Sequence, residues 1–166
     1  VIFTPSCTAA INYVLKGILK PKDGLIISSL EHNSVTRPAE TLRKMGVEVT
    51  VSEVIFGDKE ATVRSFERAI KSNTKAVLCT HASNVTGEIM PIEQIGELCQ
   101  KRGIIFIVDA AQTAGVLPID VGEMNIDFLC LAPHKGFYAP TGLGVLIAEK
   151  PIENIVISGG TGVNSI

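Results

Sequence analysis

The chain has 166 residues, enough for one domain of ordinary size. It is 46% hydrophobic and 19% charged with a formal net charge of -2, so it carries no basic footprint for nucleic acid. Its mean hydropathy is +0.33, yet no apolar run approaches the ~18 residues a membrane-spanning helix needs, and we expect neither nucleic acid nor a membrane among its partners.

Along the chain, helices and strands are predicted in alternation. Thr4-Pro5-Ser6-Cys7-Thr8 opens a helix whose apolar residues Ile11, Val14, Leu15 and Ile18 recur at helical spacing, until Lys20-Pro21 stops it. Hydroxyls and free backbone N–H groups at such a start suit a phosphate, while Ser6 acting only as N-cap is the simpler alternative. Lys22-Asp23-Gly24 is a turn, and Leu25–Ser29 a short apolar strand. It delivers Glu31-His32-Asn33-Ser34 to a helix carrying Val35, Ala39, Leu42 and Met45 and closed by Gly46. His32 either caps that helix or faces a site. Val47–Val51 alternates as a half-buried strand does, and Val63, Phe66 and Ile70 mark the next helix.

Ala76–Cys79 is a strand ending in the polar loop His81–Glu88, where Asn84 is a turn residue or a ligand. Pro91 suits a helix start, Ile92, Ile95 and Cys99 form the stripe, and Gly103 ends it. Ile104–Val108 is wholly apolar, as in a parallel strand buried on both faces. Asp109 follows it, free to cap a helix or to serve a site. Phe128–Leu131 and Val145–Ala148 are two more apolar runs. The segment between them carries His134-Lys135-Gly136, held in turns by Pro133, Pro140 and glycines. The four cysteines (Cys7, Cys79, Cys99, Cys130) form no CxxC pair. Buried free thiols of a reducing, cytoplasmic compartment are the plain expectation.

This alternation predicts an α/β sandwich with a mainly parallel sheet, in which ligands gather at the carboxyl ends of the strands. Thr8 lies at a helix start, and His32, Asn84, Asp109 and Lys135 each follow an apolar run, so a parallel sheet would bring them to one edge. A lysine there can be desolvated, which frees its amine to attack a carbonyl. A lysine, an aspartate, a stacking histidine and a phosphate-binding helix start together fit pyridoxal 5′-phosphate (PLP). Lys135 would hold its aldehyde, Asp109 would pair with the ring nitrogen, His32 would stack on the ring, and Asn84 and Gln112 would reach the phenolic oxygen.

These residues also carry a family resemblance. Thr4-Pro5-Ser6-Cys7-Thr8-Ala9-Ala10-Ile11-Asn12, Glu31-His32-Asn33-Ser34, Ser83-Asn84-Val85-Thr86-Gly87, Val108-Asp109-Ala110-Ala111-Gln112 and His134-Lys135-Gly136-Phe137-Tyr138-Ala139-Pro140-Thr141-Gly142 occur in the order and spacing of class V aminotransferase-fold PLP enzymes. Within these the chain most resembles the cysteine desulfurase and selenocysteine lyase group. The resemblance implies the fold type I large domain, a three-layer α/β sandwich, in a homodimer with active sites near the subunit interface. It places the cofactor-bonded lysine on Lys135, the ring-nitrogen aspartate on Asp109 and the stacking, proton-handling histidine on His32. The phenolate contacts fall on Asn84 and Gln112, and the phosphate contacts on Thr8 and His134. Cys7 stands in the phosphate turn where threonine is common, and Ala132 where many relatives have serine. Gly160-Thr161 resembles the loop that reaches the neighbouring subunit's phosphate.

The implied activity is conversion of L-cysteine to alanine with sulfur passed to an enzyme cysteine, and onward to a sulfur-acceptor protein. None of the four cysteines here matches that nucleophile. We therefore expect residues 1–166 to be the large domain of a longer protein, with an N-terminal segment and a C-terminal small domain outside it, and with uncovered apolar surface. Other class V activities (selenocysteine lyase, amino-acid lyase, aminotransferase) share this core. A catalytically silent α/β binding domain is the alternative from another class, although no nucleotide-binding glycine motif is present.

Overall fold

The strand-helix alternation folds as β1 (Ile2–Thr4), α1 (Cys7–Ile18), β2 (Gly24–Ser28), α2 (Asn33–Lys44), β3 (Glu48–Ser52), α3 (Lys59–Ala69), β4 (Thr74–Thr80), α4 (Ile92–Arg102), β5 (Ile105–Asp109), β6 (Phe128–Leu131) and β7 (Gly144–Ala148). The computed structural model describes residues 1–154 and residue 157. Gly160 and Thr161 lie outside the described residues.

The strands form one seven-stranded sheet in the order β1-β7-β6-β5-β4-β2-β3. The five strands from β6 to β3 are mutually parallel, as their continuous apolar runs predict. Two features depart from the sequence expectation. Ile2–Thr4 is an edge strand that three residues of pattern do not announce, and β7 runs antiparallel to both β6 and β1. The hairpin-like return from β6 to β7 has no helix in it, so the chain can only come back antiparallel.

Period-2 alternation divides the core. Leu25 and Ile27, Ala76 and Leu78, Ile107, Phe128 and Cys130 face α1 and α2. Ile26, Val77 and Cys79, Phe106 and Val108, and Leu129 and Leu131 face α3 and α4. The result is a three-layer α/β sandwich. Helix ends follow local chemistry: Ser6 Oγ accepts the Ala9 N–H at 3.1 Å, Asp58 Oδ1 accepts that of Ala61 at 2.8 Å, and α4 stops at Gly103 in the left-handed region (φ 66°). The helix predicted to include Met45 stops one residue sooner, with Met45 as an exposed C-cap before Gly46 turns left-handed.

Backbone-to-backbone approaches lock the site edge. A Cβ on Gly144, at the start of β7, would overlap the Ser6–Cys7 peptide at the start of α1. One on Gly136 would overlap Ala114 O, and one on Gly115 (φ +81°) would sit 2.8 Å from Gly136 C. The lysine-bearing loop thus lies directly on the segment that follows Asp109. We expect Gly144→Ala to cost about 1–3 kcal/mol, because the helix start must be pushed off the strand; urea unfolding would register this as a lower midpoint at an unchanged slope.

Candidate active site

In a parallel sheet, each strand hands its next residues to the same edge. β5 ends at Asp109, β4 at Thr80 before the loop with Asn84, β2 at Ser28 before Glu31-His32, and β6 at Leu131 before His134-Lys135. β1 also points its carboxyl end there and leads into α1. Asp109 is the centre of this edge and is only 4% exposed. Its Oδ1 accepts the Ala111 N–H at 2.9 Å and the Cys7 S–H at 3.6 Å. Among the described residues no hydrogen bond ends on Oδ2. Burial pushes the Asp109 carboxyl above its ordinary value, while the bonds from Ala111 and Cys7 and the charges of Lys135 and His32 pull it down.

His32 takes the capping role that the sequence left open. It is the N-cap of α2, and its Nδ1 accepts the Ser34 N–H at 3.0 Å. With Nδ1 taken up by the cap, Nε2 is the ring nitrogen left free, and the ring stays exposed beside the edge. Thr8 and His32 line one groove of about 370 Å³ between the starts of α1 and α2, together with Asn12, Asn33, Ser34 and Arg37. No carboxylate lines it, and neither helix has an acid in its first turn, so the groove favours an anion.

The remaining candidates lie on the loops that follow β4, β5 and β6. Asn84, Gln112 and His134 are exposed. Asp109 is followed by turns rather than a helix: Thr113 N and Ala114 N both donate to Ala110 O, so Asp109 caps an Asx-type turn through Ala111. Lys135 sits in tight turns, its N–H donating to Ala132 O at 3.0 Å and its carbonyl accepting from Tyr138 at 3.2 Å. The expectation of a desolvated lysine is not met: Lys135 is exposed. The loop carries it beyond the strand end, clear of the apolar cover that the strand residues enjoy. Its charge nevertheless reaches Cys7 and Asp109.

The four thiols are free and buried. Burial raises all of them, Cys99 up to about 12. The thiolate, which is the nucleophilic form, is therefore suppressed at each. Sequence reasoning missed Glu31, whose carboxyl is buried under the β2–α2 loop and has an oxygen without a partner; only its place beside His32 could have signalled it. Among the described residues no group of His, Cys, Asp or Glu is placed to hold a metal ion, and no helix is long and apolar enough to cross a membrane.

A raised aspartate holds in the folded state a proton that the unfolded chain releases. Its effect on stability is therefore nil at pH values below the ordinary 3.8 and grows unfavourable as pH rises above it. Asn at this position keeps the acceptor oxygen without the titration. In cofactor-free protein, Asp109→Asn should gain melting temperature relative to the parent on going from pH 4 to pH 7. A difference that stays constant with pH would count against a buried, proton-retaining carboxyl.

Comparison with known proteins matches this geometry to one family. The Aminotransferase class-V family profile covers residues 1–166. The chain is 38% identical over 168 residues to the protein named cysteine desulfurase IscS of Clostridium botulinum, spanning 96% of this chain and 41% of that one. Among solved structures it is similar to the apo cysteine desulfurase of Thermococcus onnurineus, with a TM-score of 0.79, 35% identity, and coverage of 89% of this chain and 38% of the other. It is also similar to SspA in complex with cysteine, with a TM-score of 0.83, 31% identity, and coverage of 96% and 47%. The chain thus spans about two fifths of the length of the curated relatives it matches. With a profile running its full length over a mainly parallel α/β sandwich, the chain belongs to the class V aminotransferase family.

Proposed function

We propose that the chain is the PLP-binding large domain of a cysteine desulfurase-like enzyme acting on L-cysteine. The observation that carries this reading is Asp109: a buried carboxyl at the sheet's ligand edge, with Oδ2 unpartnered, is suited to a cationic N–H. A protonated pyridine nitrogen is such a group. Lys135 in the adjoining loop, the acid-free groove at Thr8 and the exposed His32 ring complete the donor set that PLP needs.

When bound, PLP supplies the electron sink that draws charge from the α-carbon of an amino acid. The chain's own residues would do the rest. Asp109 would keep the ring nitrogen protonated, and the Ala111 N–H and Cys7 S–H would hold its carboxylate in place. Thr8, Cys7 and His134 would take the phosphate, with Thr161 contributing to a second subunit's site. Asn84 and Gln112 would bond the phenolic oxygen. His32 would lie against the ring with its Nε2 free, and the Nζ of Lys135 would hold the aldehyde and, once released, move the α-proton.

With all four thiols here buried and raised, the sulfur-accepting cysteine would come from outside these residues. A homodimer, a sulfur-acceptor protein and a cytoplasmic setting complete the proposal. Exposed Val1, Phe3, Val85 and Tyr138 fit a surface that a second chain or domain covers.

In the full-length enzyme, Lys135→Ala should abolish the visible absorbance of bound PLP and lower turnover by ~10²–10⁴-fold, the usual cost of losing a proton-moving group. Borohydride reduction and peptide mapping should place the pyridoxyl label on Lys135; a label on Lys101 or Lys150 would overturn the assignment. A polypeptide of residues 1–166 alone, supplied with excess PLP, should release no more sulfide from L-cysteine than PLP alone. Sulfide release at an enzymatic rate would show that a thiol within these residues is the acceptor.

A further inference from the structure

Glu31 is a buried acid that the proposed chemistry does not use. It lies between two strand ends. β2 stops at Ser28, and its ladder with β3 closes with Ser29 N donating to Ser52 O at 2.9 Å. Its neighbour β4 runs on to Thr80, while the pairing of β2 with β4 ends at Ile27 and Leu78. Glu31 Oε1 takes the Thr80 N–H at 2.8 Å and also accepts the Ser28 hydroxyl. Ser28 Oγ in turn accepts the Leu30 N–H at 3.2 Å. One carboxyl oxygen therefore ties the end of β2, the β2–α2 loop and the end of β4 into a single unit.

Both loops that leave this knot carry cofactor-site residues. His32 is the very next residue, and Asn84 follows Thr80 by four. We propose that Glu31 is a positioning residue for the cofactor site, taking the Thr80 N–H past the end of the β2–β4 ladder and so setting His32 and the Asn84 loop against one another. The proposal rests on the PLP-site reading above.

The protonation state agrees with this role. Burial pushes the Glu31 carboxyl up to about 8; the bonds from Ser28 and Thr80 oppose the rise and the Asp109 charge adds to it. Asp109 on β5, Cys79 on β4 and His32 on its own loop are the titratable groups around it. Near neutral pH Glu31 is mostly the neutral acid, so its work is done by shape and an acceptor oxygen rather than by charge. Glutamine reproduces both. Aspartate keeps the acid but falls short by one methylene.

The test contrasts Glu31→Gln with Glu31→Asp. Amide exchange is measured first on cofactor-free protein. The Thr80 N–H should be slow in the parent and in Glu31→Gln, and fast in Glu31→Asp. In the full-length enzyme with PLP bound, Glu31→Gln should keep parental kcat within about twofold. Glu31→Asp should lose ~10- to 100-fold in kcat at little change in melting temperature, since displacement of about 1 Å away from the chemistry can cost this much. Equal Thr80 exchange in all three proteins, or equal kcat in Glu31→Asp and the parent, would overturn the proposal. So would a Glu31→Gln variant as impaired as Glu31→Asp, because charge would then be the need. Failure of the parent to show PLP absorbance would instead overturn the site reading, and the proposal with it.

Discussion

The site depends on one buried carboxylate. Asp109 ends the central strand β5, where apolar cover is thick enough to make its charge costly, and only part of that cost is offset by the Ala111 N–H and the Cys7 S–H. A group in that state calls for a cationic partner on its open side. The parallel sheet makes the demand answerable, since it directs β2, β4, β5 and β6 to one edge. Any cation binding there meets residues from four different loops.

Precision at that edge comes from backbone contact more than from side-chain packing. Glycine at 144 lets β7 touch the first peptide of α1, and the Gly115–Gly136 contact seats the lysine loop on the segment after Asp109. Neither approach leaves room for a methyl group. The spacing between the phosphate-type helix start, the aspartate and the lysine is thereby set by main-chain dimensions, which vary little. Glu31 plays a similar part past the end of the β2–β4 ladder, through a side-chain oxygen.

Several candidate site residues also hold local structure. His32 caps α2, and the cap leaves Nε2 as its free ring nitrogen. Asp109 closes a turn through Ala111 with the oxygen it does not offer outward. Ser6 caps α1 and so leaves the neighbouring Thr8 exposed at the helix start. In each case capping leaves a neighbouring atom or residue available, so the cap is compatible with the proposed site role.

The parallel core, the helix starts and the order of the site motifs were legible in the residues themselves, because alternation, apolar runs and capping residues are local signals. Asp109 and His32 could be named from their place after apolar runs. The antiparallel return of β7, the edge strand at Ile2–Thr4, the exposure of Lys135 and the bridging role of Glu31 were not legible. Three of these depend on a partner elsewhere in the chain: Val145 opposite Leu131, Thr4 opposite Gly144, Thr80 above Glu31. Local sequence determines which residues can form a strand or a cap, since that is decided by neighbouring dihedrals and side-chain shape. Tertiary structure alone decides which strand end meets which, because burial and hydrogen-bond satisfaction are properties of the packed chain.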